Sequence, residues 1–184
     1  MSGVSSNFVL ELEVVVATLL PDGLEPAEIP RLVRYVLDGE GATGAWTVAV
    51  VLTDDDRLRA LHRDFMGIDG ETDVMTFPAE DAAGPSGGRF GGDVIVSVER
   101  AAAQGPAFGQ TAADEVRFLV IHGLLHLLGW DDDADDERGR MLRRQADLLT
   151  AFRATSEKDV GRIVDDRDVR ADNARGEGRE DPST

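Results

Sequence analysis

The sequence predicts a single α/β (α+β) domain in which a small mixed sheet of about four strands packs against helices. Three observations support this fold class. Four short segments have the pattern of strands, helical segments lie between most of them, and one apolar helix carries two histidines four residues apart, as zincin-like H-x-x-x-H helices do. The 184 residues, 42% of them hydrophobic, are enough for one domain with its own core.

The first part of the chain predicts a strand, a helix and a second strand. Residues 8–16 alternate well enough to form a strand. Apolar side chains at helical spacing then predict a short helix, which ends at Gly39 and Gly41; these side chains are Ile29, Leu32, Val33, Val36 and Leu37. Residues 45–52 predict the second strand.

A second helix is predicted directly after this strand. Thr53 is the expected N-cap, and the acids that follow it suit the first turn of a helix. Leu58, Leu61 and Phe65 have the spacing of a buried stripe. Two glycines then end the helix, Gly67 and Gly70.

The middle of the chain supplies the other two strands. Residues 72–78 predict a strand closed by a proline, and residues 93–97 predict another. The segment between them, residues 81–88, is rich in Ala, Gly, Pro and Ser and is expected to be a mobile loop. Residues 98–104 predict a helix, and residues 105–110 a loop.

Two long helices are predicted in the C-terminal part. The first covers residues 111–128 and is capped by Thr111. The second covers residues 134–153, with the apolar residues Met141, Leu142, Leu148, Leu149 and Phe152. From residue 156 the chain has charges, glycine and few large apolar residues, so we predict a domain at 1–155 and a disordered charged tail at 156–184.

The strongest chemical signal is the pattern H-x-x-x-H-x-x-G-x-x-D, formed by His122, His126, Gly129 and Asp132. Residues four apart share one face of a helix, so both imidazoles can bind one ion from the same side. Gly129 allows the chain to turn and bring Asp132 back toward that ion. Three protein ligands leave a fourth coordination position for water, as catalytic zinc sites do. The alternatives are histidines satisfied within the core and an aspartate run that is simply solvated.

One zinc ion is the predicted cofactor. A set of two histidines and one carboxylate also binds ferrous iron, but iron ligands usually come from separate strands, whereas these histidines share one helix. The chain has no cysteine, which excludes thiolate ligands. Zinc peptidases carry a glutamate general base directly after the first histidine, where this chain has Gly123. A metallopeptidase is therefore the less favoured alternative.

The formal net charge of −17 bears on the partners. Phosphate contacts drive nucleic-acid affinity, so this chain as a whole repels RNA and needs a local groove, the metal or a partner protein to hold it. The N-terminus lacks the basic segment of a signal peptide, and no apolar run approaches the length of a membrane span. We expect a cytoplasmic protein with neither DNA nor a membrane as a partner.

Three segments in order resemble one family, the YbeY-type endoribonucleases, which are bacterial rRNA maturation factors. Residues 122–132 resemble its H-G-x-L-H-L-x-G-Y-D-H, residues 67–78 its G-x-D-x-P-T-D-V-L-S-F-P, and residues 92–97 its G-D-I-V-I-S strand. The resemblance covers roughly residues 8–152. It implies a metal-dependent hydrolase that cleaves single-stranded rRNA, acts in 16S rRNA 3′-end maturation and ribosome quality control, and associates with the small ribosomal subunit or its proteins.

The chain departs from this family at two positions. Asp132 replaces the third histidine, and a carboxylate ligand is expected to leave the ion less able to lower the pKa of water. Met66 replaces an arginine that is suited to binding phosphate. Arg63, one helical turn earlier, is the candidate catalytic substitute, and His62 is assigned no role. A divergent ribosome-associated protein with little or no hydrolytic power is therefore the alternative to an active zinc endoribonuclease.

Overall fold

A computed structural model describes residues 7–79 and 90–173, with side chains as far as residue 155. The chain divides into two units, residues 1–149 and residues 150–184. The whole sheet belongs to the first unit. The predicted loop at 81–88 lies outside the described residues, and the predicted division into a domain at 1–155 and a tail at 156–184 stays a prediction.

The sheet contains four strands, which are β1 (Phe8–Val16), β2 (Gly44–Thr53), β3 (Val74–Pro78) and β4 (Phe90–Ser97). Their order across the sheet is β1-β2-β4-β3. β1, β2 and β4 are parallel to one another, and the edge strand β3 is antiparallel to β4. The predicted α/β fold with a small mixed sheet of about four strands is therefore confirmed.

The described residues contain five α-helices, which are α1 (Glu28–Gly39), α2 (Asp55–Met66), α3 (Val98–Gln104), α4 (Ala112–Leu127) and α5 (Asp135–Asn173). A short 3₁₀ helix at Gly105–Phe108 occupies part of the predicted loop at 105–110. None of the described helices is both long and apolar enough to cross a membrane.

Strand β4 begins at Phe90 rather than at Asp93, because two glycines allow the sheet to continue where the sequence lacks a strand pattern. Gly92 has a φ of 141°, and a Cβ atom there would lie 2.1 Å from the carbonyl oxygen of Phe77 on β3. Only a residue without a side chain accommodates that approach. The Gly-Gly pair thus extends the pairing of β4 with its neighbours.

Two predictions about α2 are wrong. Its N-cap is Asp54, whose carboxylate accepts a 2.8 Å hydrogen bond from the backbone N–H of Arg57. Thr53 is instead the last residue of β2, where it pairs with Ser97 of β4 and is buried. The second error concerns Phe65, which is 67% exposed and packs only edge-on against Phe77 of the edge strand.

Helices cover both faces of the sheet. Helix α4 packs against β4 and β3 on one face, and its apolar side chains are buried together with those of α1. On the other face, Leu58 of α2 packs against Met75 and Ile95. Side chains of a strand alternate between faces, so Val94 and Val96 point toward α4 while Ile95 points toward α2.

Helix α5 continues to Asn173, whereas the sequence predicts its end at Arg153 and disorder from 156. Residues 154–173 contain a single glycine and no proline, so no residue there stops a helix. Of the apolar residues of this helix in the first unit, Met141, Leu148 and Leu149 are buried, and Leu142 is exposed.

Candidate metal centre

The two predicted histidine ligands lie on α4, and the turn after that helix directs the third. Thr111 caps the helix as predicted, because its hydroxyl accepts a hydrogen bond from the N–H of Asp114. At the other end, Gly129 has a φ of 89°, and the N–H of Trp130 donates to the carbonyl oxygen of Leu125 at 3.0 Å. This left-handed turn ends α4 and reverses the chain toward the histidines.

The structure brings His122, His126 and Asp132 together. The Nε2 atoms of the two histidines are 2.9 Å apart. The Asp132 carboxylate lies 3.8 Å from Nε2 of His122 and 3.7 Å from Nε2 of His126. All three side chains are partly buried, and each offers a ligand atom within 4.8 Å of the others. The predicted ligand set therefore has the geometry of a cation site.

The hydrogen bonds of the other ring nitrogens select the tautomer of both neutral imidazoles. Nδ1 of His122 lies 3.3 Å from Oε1 of Gln145, whose Nε2 donates to the carbonyl oxygen of Phe118 and so fixes the orientation of the amide. Nδ1 of His126 lies 3.1 Å from the carbonyl oxygen of Trp130. Because both acceptors require an Nδ1–H, the neutral rings direct two Nε2 lone pairs at each other.

Facing lone pairs repel one another unless a cation lies between them. Two ligands of a tetrahedral zinc ion with Zn–N bonds of 2.0–2.1 Å are separated by about 3.4 Å, which is about 0.5 Å more than the 2.9 Å between the two Nε2 atoms. Burial lowers the pKa of His122 below its ordinary value, and this effect exceeds the opposing hydrogen bond to Gln145. The ring is thereby favoured in the neutral form that a metal requires.

The loop after α4 selects Asp132 from three consecutive aspartates. The Asp131 carboxylate accepts hydrogen bonds from the backbone N–H groups of Asp132, at 2.7 Å, and of Asp133, at 3.1 Å. Asp131 therefore orders the loop itself. Asp133 is exposed, whereas Asp132 is partly buried and faces the imidazoles.

A further contact holds the loop in place. Nε1 of Trp130 donates a 2.9 Å hydrogen bond to the carboxylate of Glu40, at the end of α1. The other oxygen of that carboxylate accepts from Nε of Arg144 on α5 at 2.6 Å. The carbonyl of Trp130 that orients His126 is thus anchored by two other helices. Glu40 and Gln145 could not be identified from the sequence, because nothing in the local pattern links them to the histidines.

Gly123 lets α4 approach the sheet closely. A Cβ atom at this position would lie 2.4 Å from Cγ1 of Val94 and 3.1 Å from Oγ1 of Thr76. A side chain at 123 would therefore point into the sheet and not toward the metal ligands. This direction argues against the peptidase alternative, since a general base at this position has neither space nor access to the ion.

A cavity of about 480 Å³, here called the Trp130 cavity, opens on one side of the ligands; its wall includes His62, Met66, Thr76, His126 and Trp130. Nδ1 of His62 lies 2.9 Å from the carbonyl oxygen of Gly70, which leaves Nε2 as the lone-pair nitrogen of the neutral ring. From the sequence alone, His62 is assigned no role. The indication available in the sequence was that His62 lies four residues before Met66, which places both side chains on one face of α2.

Arg63 is placed differently from His62. Its guanidinium Nε lies 3.3 Å from the carboxylate of Asp64, and both side chains are exposed. Arg63 is not among the residues that line the cavities described at His122. The structure thus brings together the three predicted ligands but does not bring Arg63 to them.

A second cavity, here called the Phe118 cavity, also has a volume of about 480 Å³. His122 lines both cavities, and Asp132 and Gln145 line the second. The remainder of its wall includes Asp73, Phe108, Gln110, Glu115, Phe118 and Leu142. The ligand cluster therefore borders two cavities.

The model of one protein family, described as endoribonuclease YbeY, matches residues 24–153. A curated endoribonuclease YbeY from Synechococcus sp. (strain JA-3-3Ab) is 37% identical over 147 residues, which cover 77% of this chain and 90% of the relative. Another from Kineococcus radiotolerans is 38% identical over 137 residues, covering 72% and 79%. A Thermotoga maritima protein solved in solution has a similar fold, with a TM-score of 0.57 at 22% identity over 81% of this chain and 93% of that one.

Proposed function

The chain belongs to the YbeY endoribonuclease family, and we propose that it is a zinc-dependent endoribonuclease that cleaves single-stranded RNA. The observation that carries this proposal is the pair of Nε2 atoms 2.9 Å apart, with the Asp132 carboxylate less than 4 Å from both. Two imidazoles and a carboxylate gathered in this way are typical of a metal site. The names of the curated relatives support RNA as the substrate.

Zinc fits this donor set better than the alternatives. Nitrogen and carboxylate ligands from one helix and the next loop suit a tetrahedral ion. Zinc, when bound, supplies a Lewis acid that activates water and polarises a phosphoryl oxygen. The Asp132 carboxylate brings a negative charge in place of the neutral third histidine of the family. We therefore expect activity to rise at higher pH than in a three-histidine enzyme.

The chain's own residues then bind the substrate and move protons. His62 is proposed to transfer protons, because its Nδ1–H is held by Gly70 and its Nε2 can take up or release a proton in the Trp130 cavity. Met66 on the same wall cannot contact phosphate through charge. Arg63 remains the candidate for a phosphate contact, which requires it to leave Asp64. Gln145 and Trp130 keep both imidazoles oriented.

The proposed biological substrate is rRNA, in 16S rRNA 3′-end maturation and ribosome quality control in the cytoplasm. This part of the proposal rests on membership of the YbeY family and on the net charge of the chain. A net charge of −17 disfavours binding of free RNA, so a small ribosomal subunit or one of its proteins is proposed to present the strand. The same charge, together with Met66, favours one second candidate, a ribosome-associated protein of this fold with little hydrolytic activity.

Cleavage of a fluorescent single-stranded RNA by zinc-loaded protein tests the proposal. We expect wild type to contain one zinc ion per chain and to cleave, and His126→Ala to lose both properties. Asp132→Ala and Asp133→Ala form a matched pair, and only the first is expected to lose zinc. Cleavage that survives in His126→Ala or in a chelator would contradict the proposal. Zinc binding without cleavage by wild type would favour the non-catalytic candidate.

A cellular experiment tests the pathway separately. In cells that lack the gene, we expect 16S rRNA precursors with unprocessed 3′ ends to accumulate. Wild type should clear them, and His122→Ala should not. Normal processing in the deletion strain would remove 16S maturation from the proposal, whatever the activity of the purified protein.

A further inference from the structure

We propose that the Phe118 cavity binds one nucleobase of the RNA next to the cleaved phosphate, and that it prefers guanine. This inference rests on the proposed RNA cleavage and adds a base specificity to it. Three features of the cavity support it, which are its position beside the ligands, its aromatic wall and its unpartnered acceptors.

The cavity begins at the metal ligands. His122 and Asp132 form part of its wall, so a phosphate at the ion would place an attached nucleoside at the entrance. Its volume of about 480 Å³ lies in the range of small-molecule sites, about 300–1,000 Å³. The Trp130 cavity, which shares His122 with the Phe118 cavity, can receive the next part of the strand. An RNA strand can therefore cross the ion with one base in the Phe118 cavity.

The wall of the cavity suits an unstacked base. Phe118 contributes an aromatic ring, and Phe108 and Leu142 are exposed although both are large and apolar. Phe108 is 70% exposed, which leaves most of its ring available for contact. Single-stranded RNA is recognised largely by stacking of splayed-out bases on aromatic side chains. A base in this cavity would cover apolar surface that is now exposed to water.

The polar atoms of the wall are mainly acceptors. Glu115 is only 3% exposed, and its Oε2 has no hydrogen-bond partner among the described atoms. The same holds for Oε1 of Gln110. Nε2 of Gln104 donates both to Asp73, at 2.9 Å, and to Oε1 of Glu115, at 2.8 Å, so the local donor is already engaged. A ligand that supplies N–H groups would satisfy the remaining acceptors.

Guanine matches this acceptor-rich wall best. It presents an imino N–H and an amino group side by side, and a carboxylate can accept from both. Adenine and cytosine offer one amino group next to a ring acceptor, and uracil offers one N–H between two carbonyls. Because three carboxylates and, among the described residues, no lysine or arginine line the cavity, a phosphate would be repelled from it. The cavity therefore favours guanine over adenine and cytosine, and uracil least.

Binding of the four ribonucleoside 5′-monophosphates to zinc-loaded protein, followed by NMR shift titration, tests the inference without cleavage. The phosphate is common to all four ligands, so differences in Kd report the base. We expect the guanine nucleotide to bind at least about tenfold more tightly than the uracil nucleotide. Glu115→Gln should reduce this ratio severalfold. Phe108→Ala should weaken all four, by about tenfold, through loss of stacking.

Phe65→Ala is the matched control, because Phe65 is an equally exposed phenylalanine that does not line the cavity. It should keep the wild-type Kd values. Equal Kd values for the four nucleotides, or an unchanged preference in Glu115→Gln, would overturn the inference. Sequencing the ends produced from a randomised single-stranded RNA gives a second readout, where guanine should be enriched beside the cut. Cleavage without base preference would refute the subsite alone, whereas guanine preference in binding without cleavage would refute only the proposed function.

Discussion

The two halves of α4 both bury polar side chains, but they differ in how those side chains are satisfied. In the N-terminal half, the guanidinium of Arg117 contacts Asp114 at 2.9 Å and Glu28 of α1 at 2.8 Å. In the C-terminal half, His122 and His126 each have one satisfied nitrogen, and their other nitrogens face each other. The first half joins two helices through charges that meet within the protein, whereas the second directs lone pairs toward a position for a cation.

The difference separates structural from functional polar groups along one helix. A buried ion pair whose partners lie in the protein contributes to the fold and needs no ligand. Buried acceptors without a donor destabilise the protein unless a ligand completes them. Glu115 belongs to the N-terminal half but has one oxygen of each kind, since Oε1 accepts from Gln104 and Oε2 has no described partner. It is therefore assigned to a site rather than to the core.

Arg117→Met is expected to have the largest effect on stability. It leaves the carboxylates of Asp114 and Glu28 without their shared cation, which should lower the free energy of unfolding by about 3–5 kcal/mol. Urea denaturation measures this change. Arg140→Met is the control, because its ion pairs are on the surface and are worth less than about 1 kcal/mol. A similarly small loss of unfolding free energy in Arg117→Met and Arg140→Met would show that the N-terminal half is not a structural charge cluster.

Gln145→Met tests the C-terminal half. The substitution conserves volume but removes the acceptor that holds Nδ1–H of His122, so zinc should bind about 10–100-fold more weakly. Competition with a chromophoric chelator gives the Kd. Gln145→Glu keeps a side-chain acceptor and should bind zinc more tightly than Gln145→Met. Equal zinc affinity in wild type, Gln145→Met and Gln145→Glu would mean that Gln145 does not orient His122.

Glu115→Gln should change the stability least among these variants, and the size of the change should depend on pH. Burial, with a smaller contribution from Asp73, raises the pKa of Glu115 above its ordinary value of 4.5. The folded protein thus holds this proton more tightly than the unfolded chain, and stability falls as pH rises from 4.5 toward the folded-state pKa. Glu115→Gln should be about 1 kcal/mol more stable than wild type at pH 7. The difference in stability between the variant and wild type should vanish near pH 4. A variant that is less stable than wild type at pH 7 would contradict the assignment of Glu115 to a site.

What could be predicted from the sequence was mostly local. The spacing of His122 and His126, the turn at Gly129 and the cap at Thr111 follow from helical geometry within a few residues, and the structure has all of them. Alternation of apolar residues likewise predicted the four strands. The cap of α2 shifted from Thr53 to Asp54, because pairing with Ser97 extended β2 by one residue, which no local pattern indicates.

The surroundings of the site could not be predicted in this way. Gln145 and Glu40 reach the ligand cluster from α5 and α1, and their roles depend on how these helices pack. The Phe118 cavity combines residues from several elements that are distant in the sequence. His62 had a visible signal, its spacing from Met66, but only the packing of α2 places it on the wall of the Trp130 cavity.

X-ray absorption at the zinc edge, on protein loaded with one equivalent of zinc, tests the central claim most directly. Two imidazole nitrogens at about 2.0–2.1 Å and carboxylate oxygen at about 2.0–2.2 Å are expected around the ion. One imidazole should disappear from the spectrum of His126→Ala. A wild-type spectrum with one imidazole or none would contradict the account, because the ion would then not be held by the paired histidines of α4.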